Sequence, residues 1–139
     1  MKFNVNGSVK GKPGPSRIGG VLRDELGVVK GIFSKAVGVM DSNQVELLVI
    51  LKALLVSVES NFFTSLSLII ESDSSNAVSW VTCALDVPWR LKTIFNKINV
   101  VKRKFQKIMF HKIPREANFI TDGLTKLGVD RERALLTNF

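Results

Sequence analysis

The stretch "SLSLIIESDSSNAVSWVTCAL", residues 65–85, decides how this chain folds. Its first eight residues form a short apolar run bounded by polar ones, the pattern of a strand over 65–72. Asp73 and its serine neighbours then supply N-capping side chains, and the residues after them read as a helix that stops ahead of Pro88. A strand that runs straight into a helix is the first half of a strand–helix–strand crossover. The flanking elements therefore fix the sheet it enters.

Upstream lies "DSNQVELLVILKALLVSVES", residues 41–60, apolar almost all round and so a mostly buried helix. Asp41, Ser42 or Asn43 can cap it, and Asn43 with Glu46 has the spacing of a capping box. Before it come three strand-like runs, 2–7, 17–24 and 28–37. Glu25-Leu26-Gly27 makes a tight connection between the second and third, with Gly27 free to take a positive φ. The Gly/Pro-rich segment 7–16 reads as the turn between the first and second. Strands joined in this way are antiparallel.

Downstream, "WRLKTIFNKINVVKRKFQ", 89–106, reads as a helix with Leu91, Ile94, Phe95, Ile98 and Val101 on one face. "KIMFHKI", 107–113, reads as a last strand and residues 118–136 as a final helix. The order βββ-α-β-α-α-β-α predicts an α/β fold: one mixed five-stranded sheet, three antiparallel strands followed by parallel crossovers, with helices on both faces. One domain over 1–139 is expected.

Hydrophobic residues make up 45% of the 139, too many for a disordered chain. The longest apolar run carries Glu46 and Lys52 and is too short to span a bilayer, so no membrane association is expected. Cys83 is the only cysteine, which excludes an internal disulfide. It reads as a small buried side chain in a reducing, intracellular setting. Nothing in the pattern calls for more than a monomer.

Charge is the more informative quantity. The net charge is +8, and nine of the twenty basic residues fall in 87–115, where there is no acidic one. Residues 41–86 are acidic, with Lys52 as the only opposing charge. An acidic centre beside a basic band suits a polyanion held next to a metal ion.

Glu46 and Asp122 sit in what read as first helical turns, and Asp73 just past the carboxyl end of a strand, where sites collect in open α/β sheets. Carboxylates grouped this way suit Mg²⁺ or Mn²⁺, which bind carboxylate and phosphate oxygens together. Two such ions can activate water and stabilise the leaving oxygen in phosphodiester cleavage. Singly, each carboxylate is equally well explained as a cap or a macrodipole partner.

In order, "VNGS", "GKPGPSRIGGVLRD", "DSNQVELLVILKAL", "IIESDSSNAVSWV", "PWRL" and "PREANFITDGLTKLGVDR" resemble the plant ribonuclease H-like domains related to retroelement reverse transcriptases. The resemblance spans about residues 3–133. It implies cleavage of the RNA strand of an RNA–DNA hybrid, with divalent metal held by four carboxylates. Their positions here are Asn6, Glu46, Asp73 and Asp122. Three match, and Asn6 replaces the Asp of a D-G-S stretch.

An amide in that place keeps the shape and loses the charge, so both metal sites should weaken. Metal catalysis of this kind supplies roughly several kcal/mol, and losing half of it removes orders of magnitude in rate. The expectation is a hybrid-binding domain whose nuclease is weak or absent. The alternatives are an active hybrid ribonuclease working with three carboxylates, and a protein-interaction domain that has kept only the fold.

Asn43, Asn76, Arg90, Lys92 and Lys112 are the expected nucleic-acid contacts. Lys112 stands where relatives carry a histidine, and His111, one residue earlier, should face the other side of its strand. Trp80 and Trp89 are expected in the core. Asn6-Gly7 is also a deamidation-prone dipeptide, so aged protein is expected to regain some aspartate there.

Overall fold

The computed structural model describes residues 1–11, 13–59, 67–84 and 86–115. Three antiparallel strands open the fold: β1 (Lys2–Val9), β2 (Gly14–Arg23) and β3 (Val29–Met40). Helix α1 (Ser42–Glu59) leads to β4 (Ser67–Ser72) and α2 (Ser75–Cys83). A single 3₁₀ turn, Trp89–Leu91, enters α3 (Lys92–Lys102), and β5 (Lys107–Lys112) follows. The expected final helix, and Asp122 with it, lie outside the described residues.

The sheet order is β3-β2-β1-β4-β5. β1 pairs antiparallel with β2 and parallel with β4, and β4 is parallel to β5. The mixed sheet is thus the one that the strand–helix–strand reading requires. Helices α1, α2 and α3 touch one another, and α1 packs on β1 and β2.

Alternation along each strand sets the core. Phe3 and Val5 of β1, Ile18 and Leu22 of β2, Phe33 of β3, and Leu68 and Ile70 of β4 are buried against the helices. The Phe3 and Phe33 rings meet edge to face, 5.7 Å between centroids. Gly20 lies between them: a Cβ there would come within 2.7 Å of Phe33 Cε1 and 3.0 Å of Phe3 Cε1. The aromatic pair needs that gap.

The β2–β3 connection is as expected, with Gly27 at φ 81°. Asp24 Oδ1 accepts from the Leu26 and Val28 N–H groups and closes the turn. The first turn is shorter than composition suggested. β1 continues through Gly7 and Ser8 to Val9, and β2 begins at Gly14, because β1 and β2 stay paired as far as Val9↔Ser16.

Two side chains contradict the expected core. Trp80 is buried, but Trp89 is 88% exposed on the 3₁₀ turn, since Leu91 two residues on takes the inward position. Cys83 is exposed rather than buried. It is the last residue of α2, beside Ala84 in the left-handed conformation that ends the helix.

Candidate active site

The candidate site lies where β1 and β4 part. Their parallel register ends at Asn4↔Glu71. Two residues past that pair in the sequence come Asn6, within β1, and Asp73, the residue after the end of β4. Helix α1 places Glu46 across this gap.

That placement follows from the helix N-terminus. Asp41 accepts from the Gln44 N–H at 2.9 Å while the Gln44 side chain accepts from the Asp41 N–H at 3.2 Å. The capping box is therefore Asp41 with Gln44, not Asn43 with Glu46. Glu46 is thereby moved to the second turn, away from any capping duty, and faces inward among Val45 and Leu47. Burial works against the charge of Asp41, but the Gln44 backbone N–H and the Arg90 guanidinium hold its carboxyl below the ordinary range. Arg90 and Asp41 form an ion pair.

Glu46 is clamped from both strands. Its Oε1 accepts from the Gly7 N–H at 3.0 Å, and Ser72 Oγ donates to its Oε2 at 3.4 Å. Glycine leaves room for the first contact, since a Cβ on residue 7 would lie 2.9 Å from Glu46 Oε1 and 3.0 Å from Val45 Cγ1 and would press the carboxylate aside. Burial, and secondarily the Asp73 charge, push the Glu46 carboxyl up to about 7. The Gly7 and Ser72 hydrogen bonds and the Arg115 charge oppose this shift without cancelling it.

Asp73 is not the N-cap of α2. Ser74 caps, its Oγ accepting from the Ala77 N–H at 3.1 Å, and Ser72 Oγ accepts from the Ser74 N–H at 3.1 Å. With both serines occupied in the turn, the Asp73 side chain is left to the site, 3.9 Å from Arg115 Nε.

Asn6 sits on the opposite pleat of β1 from Phe3, Val5 and Gly7, paired with Gly19. The Gly7 nitrogen, which would have to attack the Asn6 side chain in deamidation, is held by Glu46 within a paired strand. That geometry opposes the reaction. Among the described residues no three His, Cys, Asp or Glu side chains form a metal-binding group.

Of the remaining candidates, Asn43, Asn76 and Arg90 lie at the N-terminus of α1 and Lys112 at the end of β5. Asn76 Nδ2 donates to Asn43 Oδ1 at 3.4 Å, joining the N-termini of α1 and α2. Arg90 is half-exposed beside Asp41, and Lys92 Nζ lies 5.8 Å from the Phe95 ring centroid. Lys112 pairs with Ser72 and is exposed, while His111 pairs with Glu71 on the other pleat. Sequence reasoning missed Gly7, Ser72 and Arg115. The signal for the first two was present: Phe3-Val5-Gly7 and Leu68-Ile70-Ser72 are alternate positions that end each buried row at the site.

A five-stranded sheet in this order, with a buried glutamate joining the ends of its two central parallel strands, defines a ribonuclease H-like domain. A family model described as reverse transcriptase-like matches residues 4–128, and the chain belongs to that family. Among solved structures it resembles RNase H1 from the halophilic archaeon Halobacterium salinarum NRC-1, with a TM-score of 0.83 and 22% identity over 94% of this chain and 97% of that one. It is also similar to LC11-RNase H1 isolated from compost, at TM-score 0.82 and 27% identity over 94% of this chain and 95% of the other. LC11-RNase H1 in complex with an RNA/DNA hybrid matches at TM-score 0.83 and 26% identity, over 94% and 96% of the two chains. No curated protein matched the chain.

Proposed function

We propose that this chain binds RNA–DNA hybrids along the site edge and cleaves them weakly or not at all. The observation that carries the reading is the Gly7–Glu46–Ser72 clamp. It ties β1 to the end of β4 through one carboxylate although Asn6, the residue before Gly7, carries no charge. The hybrid in the LC11-RNase H1 complex supports the choice of ligand.

The donor set suits a hard divalent cation. Glu46 is buried and feels the Asp73 charge, a repulsion that Mg²⁺ or Mn²⁺ would relieve. Glu46 and Asp73 would hold it, with the Asn6 side-chain oxygen as a neutral ligand and Asp122 as the expected fourth group. When bound, the ion would activate a water and offset charge on the phosphate. The chain's own part is to fix the Glu46 oxygens, through Gly7 and Ser72, and to balance Asp73 with Arg115. Replacing one of four carboxylates by an amide lowers the negative charge available to neutralise two cations, so metal affinity and rate fall together.

Asn43, Asn76, Arg90, Lys92 and Lys112 would meet the hybrid. Amide and hydroxyl groups suit the shallow minor groove with its 2′-hydroxyls, and the cations suit phosphates.

The test is cleavage of a labelled RNA–DNA hybrid in Mg²⁺ and in Mn²⁺, with binding measured alongside. The expected result is that this chain binds without cutting, Asn6→Asp cuts, and Asn6→Asp with Asp73→Asn does not. Cleavage by the unaltered chain that Asp73→Asn abolishes would show that three carboxylates suffice. Absence of hybrid binding would leave the fold serving a protein partner.

A further inference from the structure

A second feature lies at the far end of the sheet. β5 starts at Lys107, paired with Ser67, and ends at Lys112, paired with Ser72 at the candidate site. At about 3.3 Å per residue, the turn between α3 and β5 is roughly 17 Å from the site edge. This turn reads Lys102-Arg103-Lys104-Phe105-Gln106-Lys107. Phe105 is buried and anchors it, while Arg103, Lys104 and Lys107 are exposed.

Arg103, Lys104 and Lys107 differ from the two arginines near the site. Arg90 and Arg115 are each paired with an aspartate, Asp41 and Asp73 respectively. Among the described ion pairs none involves Lys102, Arg103, Lys104 or Lys107. Beside the turn is a cavity of about 280 Å³, lined by Val81, Thr82, Lys102, Ile108, Met109 and Phe110. Lys102 Nζ donates to the Val81 carbonyl at 3.0 Å and lies 5.4 Å from the Phe110 ring centroid. Met109 is 41% exposed at its edge, and β5 is one of the two edge strands of the described sheet.

We propose that the α3–β5 turn and this cavity form a second nucleic-acid contact, taking a single-stranded segment with its phosphates on Arg103, Lys104 and Lys107 and one base in the cavity against Phe110. The assignment rests on the reading that the candidate site binds a hybrid, because the segment would be an extension of that same ligand. The chemistry fits a nucleotide better than an acidic peptide. The cavity joins an aromatic wall to a cation, and a base offers a flat face to the first and polar edges to the second. Burial pushes the Lys102 ammonium down from its ordinary value, a desolvation that a neighbouring phosphate would offset. The 17 Å between site and turn corresponds to about five nucleotides at 3.4 Å each.

The experiment is fluorescence anisotropy in EDTA with a blunt RNA–DNA hybrid, and with the same hybrid carrying a ten-nucleotide single-stranded DNA extension on one end or the other. The expected result is that one extended version binds roughly tenfold tighter than the blunt one, as a single stacked base would give. Its affinity should also fall more steeply with salt, by roughly two in log–log slope for three phosphates. The triple variant Arg103→Gln, Lys104→Gln, Lys107→Gln should lose the added salt dependence and part of this gain, and keep its affinity for the blunt hybrid within about twofold. An extension of abasic sugar-phosphates should recover only part of the gain.

Equal binding of blunt and extended hybrids by the unaltered chain overturns the proposal and leaves the site reading intact. Equal gain from the abasic extension overturns the base-binding cavity, and polyglutamate displacing the extension as well as oligo-dT does the same. Loss of blunt binding in the triple variant overturns the separation of the two contacts. If a free single strand binds, the triple variant loses it, and the blunt hybrid does not bind, then the turn stands and the reading of the site falls.

Discussion

Two neighbourhoods on the same face of β1 are built by one device and obey different physics. At one, Gly20 leaves room for the Phe3 and Phe33 rings. At the other, Gly7 leaves room for a carboxylate. The first gap is filled by apolar atoms alone, whose contacts are indifferent to pH. The second holds Glu46, which burial has pushed up to about 7. The absent Cβ therefore stabilises the fold in one place, and in the other admits a group that the fold would be more stable without.

The largest expected effect is on the apolar side. Phe33→Ala removes a fully buried ring from the centre of the core and should lower stability by about 3–5 kcal/mol. Urea unfolding at pH 5 and pH 8 should give the same difference, because no titrating group faces the ring among the described contacts. A loss that doubled between the two pH values would show that the two neighbourhoods are coupled.

Next in size is Glu46→Gln, which should stabilise. The carboxyl is held near 7 in the folded chain against 4.5 for its ordinary value. Between those values the unfolded chain releases its proton and the folded chain keeps it, so stability falls as pH rises and then levels off above about 7. The difference amounts to about 3 kcal/mol. Gln satisfies the same partners, its oxygen accepting from Gly7 and its amide donating to Ser72. Equilibrium unfolding should find the variant equal to the parent near pH 4 and about 3 kcal/mol more stable at pH 8 in EDTA. Saturating Mn²⁺ should narrow that gap by stabilising the buried Glu46 carboxylate. A pH-independent difference would mean that Glu46 is solvated.

These effects also show what was legible in the chain. The sheet was legible because each strand announces itself by alternation and the β4–α2 junction forces a crossover. Glu46 and Asp73 were legible as candidate metal ligands through the resemblance. Yet singly each is equally well explained as a cap, Glu46 with Asn43 and Asp73 ahead of α2, since sequence spacing cannot say which of several polar residues will cap. Gln44 and Ser74 took those roles in three dimensions. Trp89 and Cys83 were misplaced for a related reason. Composition says that such residues are usually buried, whereas the inward row of each element was already filled by Leu91 and by Ala77, Trp80 and Val81.

The two glycines can be set against each other directly. Gly20→Ala presses a methyl group into Phe33 and Phe3 and should cost about 1–3 kcal/mol, the usual range for overpacking, at every pH. Gly7→Ala pushes Glu46 Oε1 aside. Part of its cost, about 1 kcal/mol, is the hydrogen bond from the Gly7 N–H, and that part matters most when the carboxylate is charged. Gly7→Ala should therefore hurt more at pH 8 than at pH 5, and Gly20→Ala should not. Chemical denaturation of both variants at the two pH values reads this difference.

The smallest effect isolates the other arm of the clamp. Ser72 is fully buried and its hydroxyl makes two contacts, donating to Glu46 Oε2 at 3.4 Å and accepting from the Ser74 N–H at 3.1 Å. Ser72→Ala should lower stability by about 1 kcal/mol, most of it from the Ser74 N–H left without its acceptor. The longer bond to Glu46 is the weaker one, but it favours the ionised carboxyl. Losing it raises the Glu46 value further, so the fall in stability with rising pH should end at a higher pH than in the parent. Thr in this position restores the hydroxyl and should restore the pH at which the fall ends, whatever its added methyl group does to the absolute stability. If Ala and Thr variants share one pH profile, Glu46 is held by Gly7 alone, and the polar neighbourhood is a one-sided contact rather than a clamp.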